Sequence, residues 1–249
     1  MRKTDSVLYI ELAPQEFLER LEACPVAYLP LGTLEWHGPH LPLGTDLLQG
    51  DALFRLAAEQ FGGIVMPGVF LGPDRHLQED GKDYYGMDVH IDAANSPRYY
   101  PLQQLPGSAY WLPDELYDKL IEAIVSQLAR AGFRVVVGCG HGPSTNRFIA
   151  LADKMWEQYH IKLVRPAYGR KENGYIMDHA GKSETSNIMH FYPELVHMER
   201  LPEDVNEFAP GMGGEDPRIA ASAAFTAERL PAILEDLGNR IQEALKESK

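Results

Sequence analysis

Cysteine is scarce: Cys24 and Cys139 are the two in 249 residues. Two cannot build a disulfide framework, and each sits in an apolar context that reads as a buried free thiol. Basic residues are short as well, with 23 Lys and Arg against 36 Asp and Glu, for a formal net charge of −13. That surplus argues against nucleic acid and anionic membranes as partners. No apolar run is long enough to span a bilayer, and Met1-Arg-Lys-Thr-Asp-Ser6 lacks the apolar stretch of a secretory signal. A cytoplasmic protein with no membrane attachment is the expectation. There is no internal repeat and no low-complexity linker, so residues 1–249 read as one domain.

What is present is alternation. A helix is expected over Pro14–Cys24, with Phe17, Leu18 and Leu21 on one face, and a short buried strand over Val26–Leu31. A helix opening at Asp46 or Gly50 runs to Gln60, and a strand covers Ile64–Leu71. Asp114–Ala131 is the clearest helix, with Leu116, Leu120, Ile124 and Leu128 at helical spacing and Gly132 as its stop. A strand over Phe133–Val137, a helix over Thr145–Tyr159, a strand over Ile161–Val164 and a helix over Ser183–Phe191 follow. Two C-terminal helices close the chain, the last starting near Pro231. This order predicts an α/β sandwich with a mostly parallel central sheet covered on both faces. Ligands then bind beyond the carboxyl ends of the strands.

Chemistry is concentrated in Leu31-Gly-Thr-Leu-Glu35-Trp-His37-Gly-Pro-His40-Leu-Pro-Leu-Gly-Thr-Asp46. Glu35 and His37 share one face of an extended chain. Pro39, Pro42, Gly38 and Gly44 turn the chain so that Asp46 folds back toward them. Mixed imidazole and carboxylate donors suit zinc, manganese or iron. A polar surface loop is the plainer alternative. His141 follows the β-branched run Val135-Val-Val and is flanked by Gly140 and Gly142, which leave room for close approach.

The run Glu35-Trp36-His37-Gly38-Pro39-His40-Leu41-Pro42-Leu43-Gly44-Thr45-Asp46 resembles the signature of the creatininase (creatinine amidohydrolase) family. The resemblance implies a three-layer fold with two divalent ions, one held by Glu35, Asp46 and His141, the other by His37, Asp46 and Glu184. Asp178-His179-Ala180-Gly181-Lys182-Ser183-Glu184-Thr185-Ser186 resembles a second family segment. It implies His179 as proton carrier, oriented by Asp178 or by a backbone carbonyl. The alternative for Glu184 is a first-turn acid against a helix dipole. Gly211-Met-Gly-Gly-Glu-Asp216-Pro217 resembles the family's last motif and is read as architecture, with Asp216 as N-cap.

Two departures stand out. Family members carry Gly-His-Gly-Gly-Asn or Gly-His-x-Glu-Asn where this chain has Gly140-His141-Gly142-Pro143-Ser144-Thr145-Asn146. Pro143 thus stands where the creatinine-hydrolysing variant has a carboxylate, which tilts the reading away from creatinine. The segment Gly72–Leu105 is longer than its family counterpart and holds Arg75, His76, Lys82, Tyr84, Tyr85, Asp88, His90, Arg98, Tyr99 and Tyr100. It is read as a substrate or subunit-contact loop, with Arg75 and His76 reaching the pocket. His40, placed just outside the ligands, is grouped with them as a substrate contact. The implied activity is water attack on the carbonyl of a small, cyclic amide. The alternatives are hydrolysis of a cyclic polyhydroxy diketone and a non-catalytic binding protein. Family members often form homo-oligomers, and the same is expected here.

Overall fold

The computed structural model describes residues 6–89, 101–167, 178–207 and 209–248. His90, Arg98, Tyr99 and Tyr100 of the long segment lie outside them. Four strands form a parallel sheet in the order β2-β1-β5-β6: β1 (Val26–Leu31), β2 (Ile64–Val65), β5 (Val135–Gly140) and β6 (Lys162–Val164). The two central strands pair along their full length, Val26 opposite Val135 through Leu31 opposite Gly140. Both are apolar without alternation, as a sheet covered on both faces requires.

Side chains of the central strands divide between two cores. Val26, Tyr28, Val135, Val137 and Cys139 face α2 (Thr45–Phe61) and α8 (Ala223–Glu247), meeting Phe54, Ala57, Leu237 and Ile241. Ala27, Leu29, Leu31 and Val136 face the other layer. That layer holds α1 (Pro14–Ala23), α3 (Asp114–Ala131), α4 (Gly142–Ala150) and α5 (Ala152–Tyr159). The molecule is therefore an α/β sandwich of three layers. A remaining hairpin, β3 (His76–Glu79) with β4 (Lys82–Tyr85), is antiparallel and separate from the sheet. No helix among the described residues is long and apolar enough to cross a membrane.

Several expectations are corrected. Only Ile64 and Val65 of the expected Ile64–Leu71 strand join the ladder, and Val69 adds a lone bridge to Leu31. Pro67 has no N–H to donate, so the ladder breaks there. The helix expected over Thr145–Tyr159 starts directly after His141 and is interrupted at Leu151. Pro143 is accommodated because the first turn needs no donor from it. In α3 the fully buried stripe is Tyr117, Ile121 and Val125, while Leu116 is exposed. Pro231 does not open the last helix but lies inside α8, whose start is capped by Ser222 accepting from the Phe225 N–H. An internal proline costs about 3 kcal/mol. Burial of Ile233, Leu234, Leu237 and Ile241 on the sheet offsets it.

The topology places the site. From β1 the chain runs through α2 to β2 on one side, then through α3 to β5 on the other. The crevice beyond the carboxyl ends of β1 and β5 is thus the switch point where open α/β sheets bind ligands. Glu35 follows β1 and His141 follows β5. Only glycine serves at position 140: its φ is +144°, and a Cβ there would overlap the Leu31 carbonyl oxygen.

Candidate metal centre

Each histidine at the centre is oriented by a backbone carbonyl. His37 Nδ1 lies 3.2 Å from the Glu35 carbonyl oxygen, His141 Nε2 lies 3.1 Å from that of Pro73, and His179 Nε2 lies 2.8 Å from that of Trp36. A carbonyl only accepts, so those nitrogens donate and the opposite ring nitrogens face the carboxylates. His37 Nε2 is 3.6 Å from Asp46 Oδ1 and 3.5 Å from Glu184 Oε2. His141 Nδ1 is 3.1 Å from Glu35 Oε1 and 3.3 Å from Asp46 Oδ2. Asp46 therefore presents one oxygen to each imidazole. His179 Nδ1 stands 3.8 Å from Glu35 Oε1, and its ring stacks on His37 at 4.1 Å between centroids.

These side chains form three overlapping groups: Glu35, Asp46 and His141; His37, Asp46 and Glu184; and Glu35, His37 and His179. In each group the candidate ligand atoms lie within 4.8 Å of one another. Both oxygens of Glu35, His37 Nε2 and Asp46 Oδ2 are buried with no hydrogen-bond partner among the described residues. Leaving such atoms unsatisfied costs roughly 1–3 kcal/mol each. A bound cation satisfies carboxylate oxygens and an imidazole lone pair together, and displaces the protons that His37 and His141 otherwise carry. The donor set of carboxylates and imidazoles fits zinc or manganese.

Charge follows the same pattern. Burial disfavours a proton on His37, but Asp46 and Glu184 outweigh it and push its pKa up to about 10. His141 is likewise raised well above the usual range: burial opposes its charge, and Glu35 and Asp46 prevail. Burial works against the Asp46 anion, yet His37 and His141 hold its pKa well below the ordinary carboxylate value. His179 goes the other way, down to about 4, through burial and then the charge on His37. It is neutral at pH 7 with Nδ1 free to take a proton.

The supporting layer was only partly foreseen. The Gly211–Gly214 run clamps His179: Gly213 N–H donates to the His179 carbonyl at 2.7 Å, and His179 N–H returns a bond at 3.3 Å. Asp216 caps α7 (Pro217–Ala220), as its position before Pro217 suggests. Asp178 does not orient His179; it accepts from the Ser183 and Glu184 N–H groups at the start of α6 (Lys182–Phe191). Burial first, and then Glu184, raises its pKa to about 7. His40 is fully buried, with Nε2 2.9 Å from Thr185 Oγ1, so it braces α6 and is closed to a substrate.

Arg75 and His76 are also placed differently from expectation. Arg75 Nη2 donates to the carbonyls of Gly86 and Val89, which ties its guanidinium to the hairpin. His76 is exposed, pairs with Asp83 at 2.7 Å and stacks on Tyr85 at 4.6 Å. Tyr85 in turn stacks on Trp111, whose ring lies 6.2 Å from His141. The long segment does reach the centre, but through Asp74, Gly86 and this aromatic wall. Asp74 Oδ2 is 3.6 Å from His141 Nε2, and a Cβ on Gly86 would stand 3.1 Å from Glu35 Oε2. No local pattern in the sequence marks Asp74, which follows the bridge that Gly72 makes with Trp111. Gln49 was missed too, and its signal was its place one helical turn beyond Asp46.

Fold and site together define an α/β protein with a carboxylate–imidazole centre suited to metal at its sheet switch point. The creatininase (creatinine amidohydrolase) family model matches residues 11–229, and the chain belongs to that family. It is 25% identical to the creatinine amidohydrolase of Pseudomonas putida over 97% of both chains. It is 22% identical to the 3-dehydro-scyllo-inosose hydrolase of Thermotoga maritima, over 80% of this chain and 60% of that one. A manganese form of creatininase superposes with a TM-score of 0.70 at 25% identity, covering 96% of this chain and 98% of that one. A creatininase variant of Zn–Zn type superposes at 0.72 and 23% identity with the same coverage. These named homologues are hydrolases.

Proposed function

We propose that this chain is a metal-dependent hydrolase that opens a small cyclic amide at its carbonyl. The observation that carries this reading is the set of buried, unpartnered atoms on Glu35, His37 and Asp46, arranged so that Asp46 serves two ligand groups. Glu35, Asp46 and His141 would hold one divalent ion, and His37, Asp46 and Glu184 a second, zinc or manganese in each case. Bound there, such ions supply Lewis acidity and a water of lowered pKa.

The chain's own residues do the rest. His179 is neutral and fixed by Trp36, so its Nδ1 receives the proton that the attacking water loses. The same atom returns that proton to the departing nitrogen. Trp111, 6.2 Å from His141, and Tyr85 stacked on it offer an aromatic wall against which a flat ring would lie. Asp74 stands beside His141 as an acceptor for a hydroxyl or N–H of the substrate. That acceptor, with the inosose hydrolase relative, favours a cyclic polyhydroxy diketone as second reading. Pro143, in the first turn of α4, places no carboxylate where the creatinine-hydrolysing variant has one. Creatinine is therefore expected to be a poor substrate. We further read the protein as a homo-oligomer, which light scattering on the purified chain tests.

The test is elemental analysis of purified protein, and of apo-protein incubated with zinc or manganese. A screen of small amides, lactams and cyclic ketones against the loaded protein follows. Ions bound with no turnover across the screen would leave the non-catalytic binding reading. No ions bound would remove the proposal at its root.

A further inference from the structure

Behind Glu184 runs a chain of buried side-chain hydrogen bonds that neither the fold nor the ligand set requires. Gln49 Nε2 donates to Glu184 Oε1 at 3.0 Å. Asn187 Nδ2 donates to Gln49 Oε1 at 2.8 Å, and Thr226 Oγ1 donates to Asn187 Oδ1 at 2.9 Å. Gln49, Asn187 and Thr226 are 7%, 1% and 3% exposed. They come from α2, α6 and α8, so the relay joins three helices at one point. Its direction is fixed from the Glu184 end. A carboxylate oxygen only accepts, so Gln49 turns its Nε2 to Glu184 and its Oε1 to the Asn187 amide, and the Thr226 hydroxyl, able to donate or accept, donates to Asn187 Oδ1.

We propose that Gln49, supported by Asn187 and Thr226, is a positioning residue that aims Glu184 at the ion shared with His37 and Asp46. This rests on the functional reading above. The other oxygen of Glu184 takes the Ala180 N–H at 2.8 Å and stands 3.5 Å from His37 Nε2. With one donor on each oxygen, the carboxylate cannot rotate without breaking a bond in the interior, where a lost partner is expensive. Pro143 offers no carboxylate at the mouth of α4, so the His37 group depends on Glu184 for its third ligand. Gln49 also lies one turn beyond Asp46 on α2, so the same helix supplies a ligand and the support for another. Outer partners of this kind change metal affinity or activity by about 10–100-fold.

The experiment uses the full-length protein, stripped and reloaded with zinc in competition with a chromophoric chelator, and with cobalt for its absorption spectrum. Gln49→Leu should weaken one zinc ion by about 10–100-fold. The other ion, held by Glu35, Asp46 and His141, should keep its affinity, and the cobalt spectrum should change for one ion. Gln49→Leu removes the bond from Asn187 Nδ2 to Gln49 Oε1 in the interior and risks misfolding. The triple variant Gln49→Leu, Asn187→Leu, Thr226→Val therefore replaces the whole relay with apolar groups of similar size. It should keep the apo-protein's melting temperature within a few degrees while losing the same ion. A lower melting temperature with both zinc affinities unchanged overturns the inference, because that is what a purely structural relay gives. Equal weakening of both ions overturns the assignment to Glu184. Wild-type protein that takes up no ion removes the functional reading itself, and this inference with it.

Discussion

Asp46 is shared by two of the three ligand groups, with Oδ1 toward His37 and Oδ2 toward His141. On the two-ion proposal, removing it acts on both ions at once. Asp46→Ala is expected to purify with little bound metal and no turnover, by elemental analysis and by assay of the zinc-reloaded protein. Retention of a full complement of metal would show that the two groups do not share this carboxylate. His179 is the residue whose role the structure divides. Its Nδ1 belongs to the ligand group with Glu35 and His37, yet it is absent from both groups that contain Asp46, and the Trp36 carbonyl fixes its other ring nitrogen as a donor. His179→Ala should lower kcat by about 10²–10⁴-fold while metal content holds. Loss of metal together with activity would make it a ligand.

The β3–β4 hairpin is an element separate from the central sheet. All four residues of β3 are exposed, and little apolar burial holds the pair to the sandwich. Polar ties do so instead. Arg75 reaches the Gly86 and Val89 carbonyls, Gln104 donates to the Asp83 carbonyl, and Asp88 accepts from the Tyr85 and Leu105 N–H groups. Arg75→Ala should loosen residues 82–89 and raise KM through Gly86 and Trp111, with metal content intact. Hydrogen–deuterium exchange and steady-state kinetics read both effects, and no change in either would make the hairpin a surface feature. His76→Ala should change stability by less than about 1 kcal/mol, since an exposed ion pair contributes little. The way these elements escaped sequence reading is itself physical. β1 and the turn-rich run to Asp46 were legible because β-propensity, proline and glycine act locally. The ends of α3 were legible for the same reason, but its facing was not. Leu116, Leu120 and Ile124 form one stripe and Tyr117, Ile121 and Val125 another, and only packing on the sheet chooses between them. Arg75 and His76 were chosen by residue type, whereas the contacts that matter are Asp74 with His141 and Gln49 with Glu184. Those span 67 positions in one case and 135 in the other, a range that local pattern does not reach.

At the scale of the whole molecule, the centre ties stability to pH, and metal should reverse the dependence. In the apo-protein His37 has a pKa of about 10 against an unfolded value near 6.5, and His141 is raised as well. A raised folded pKa contributes stability that is complete below the unfolded value and is lost as pH climbs through the folded one. Between pH 7 and 9 the apo-protein should therefore weaken, by on the order of 1 kcal/mol per pH unit from His37 alone. Asp178, raised to about 7, has the same sign but acts mostly below this window. Burial raises the pKa of the Cys139 thiol, so unfolding releases a proton above pH 9 with or without metal. Comparison within pH 7–9 keeps that contribution small. Metal ions at His37 and His141 displace the protons that create the slope, and add stability that grows with free metal over Kd. Urea unfolding midpoints at pH 7 and 9 should fall for apo-protein and stay level or rise for zinc-loaded protein. Calorimetry of zinc binding at pH 7.5, in buffers of different ionisation enthalpy, should show proton release. A flat apo profile together with no released protons would mean that His37 and His141 are not the protonated pair described here.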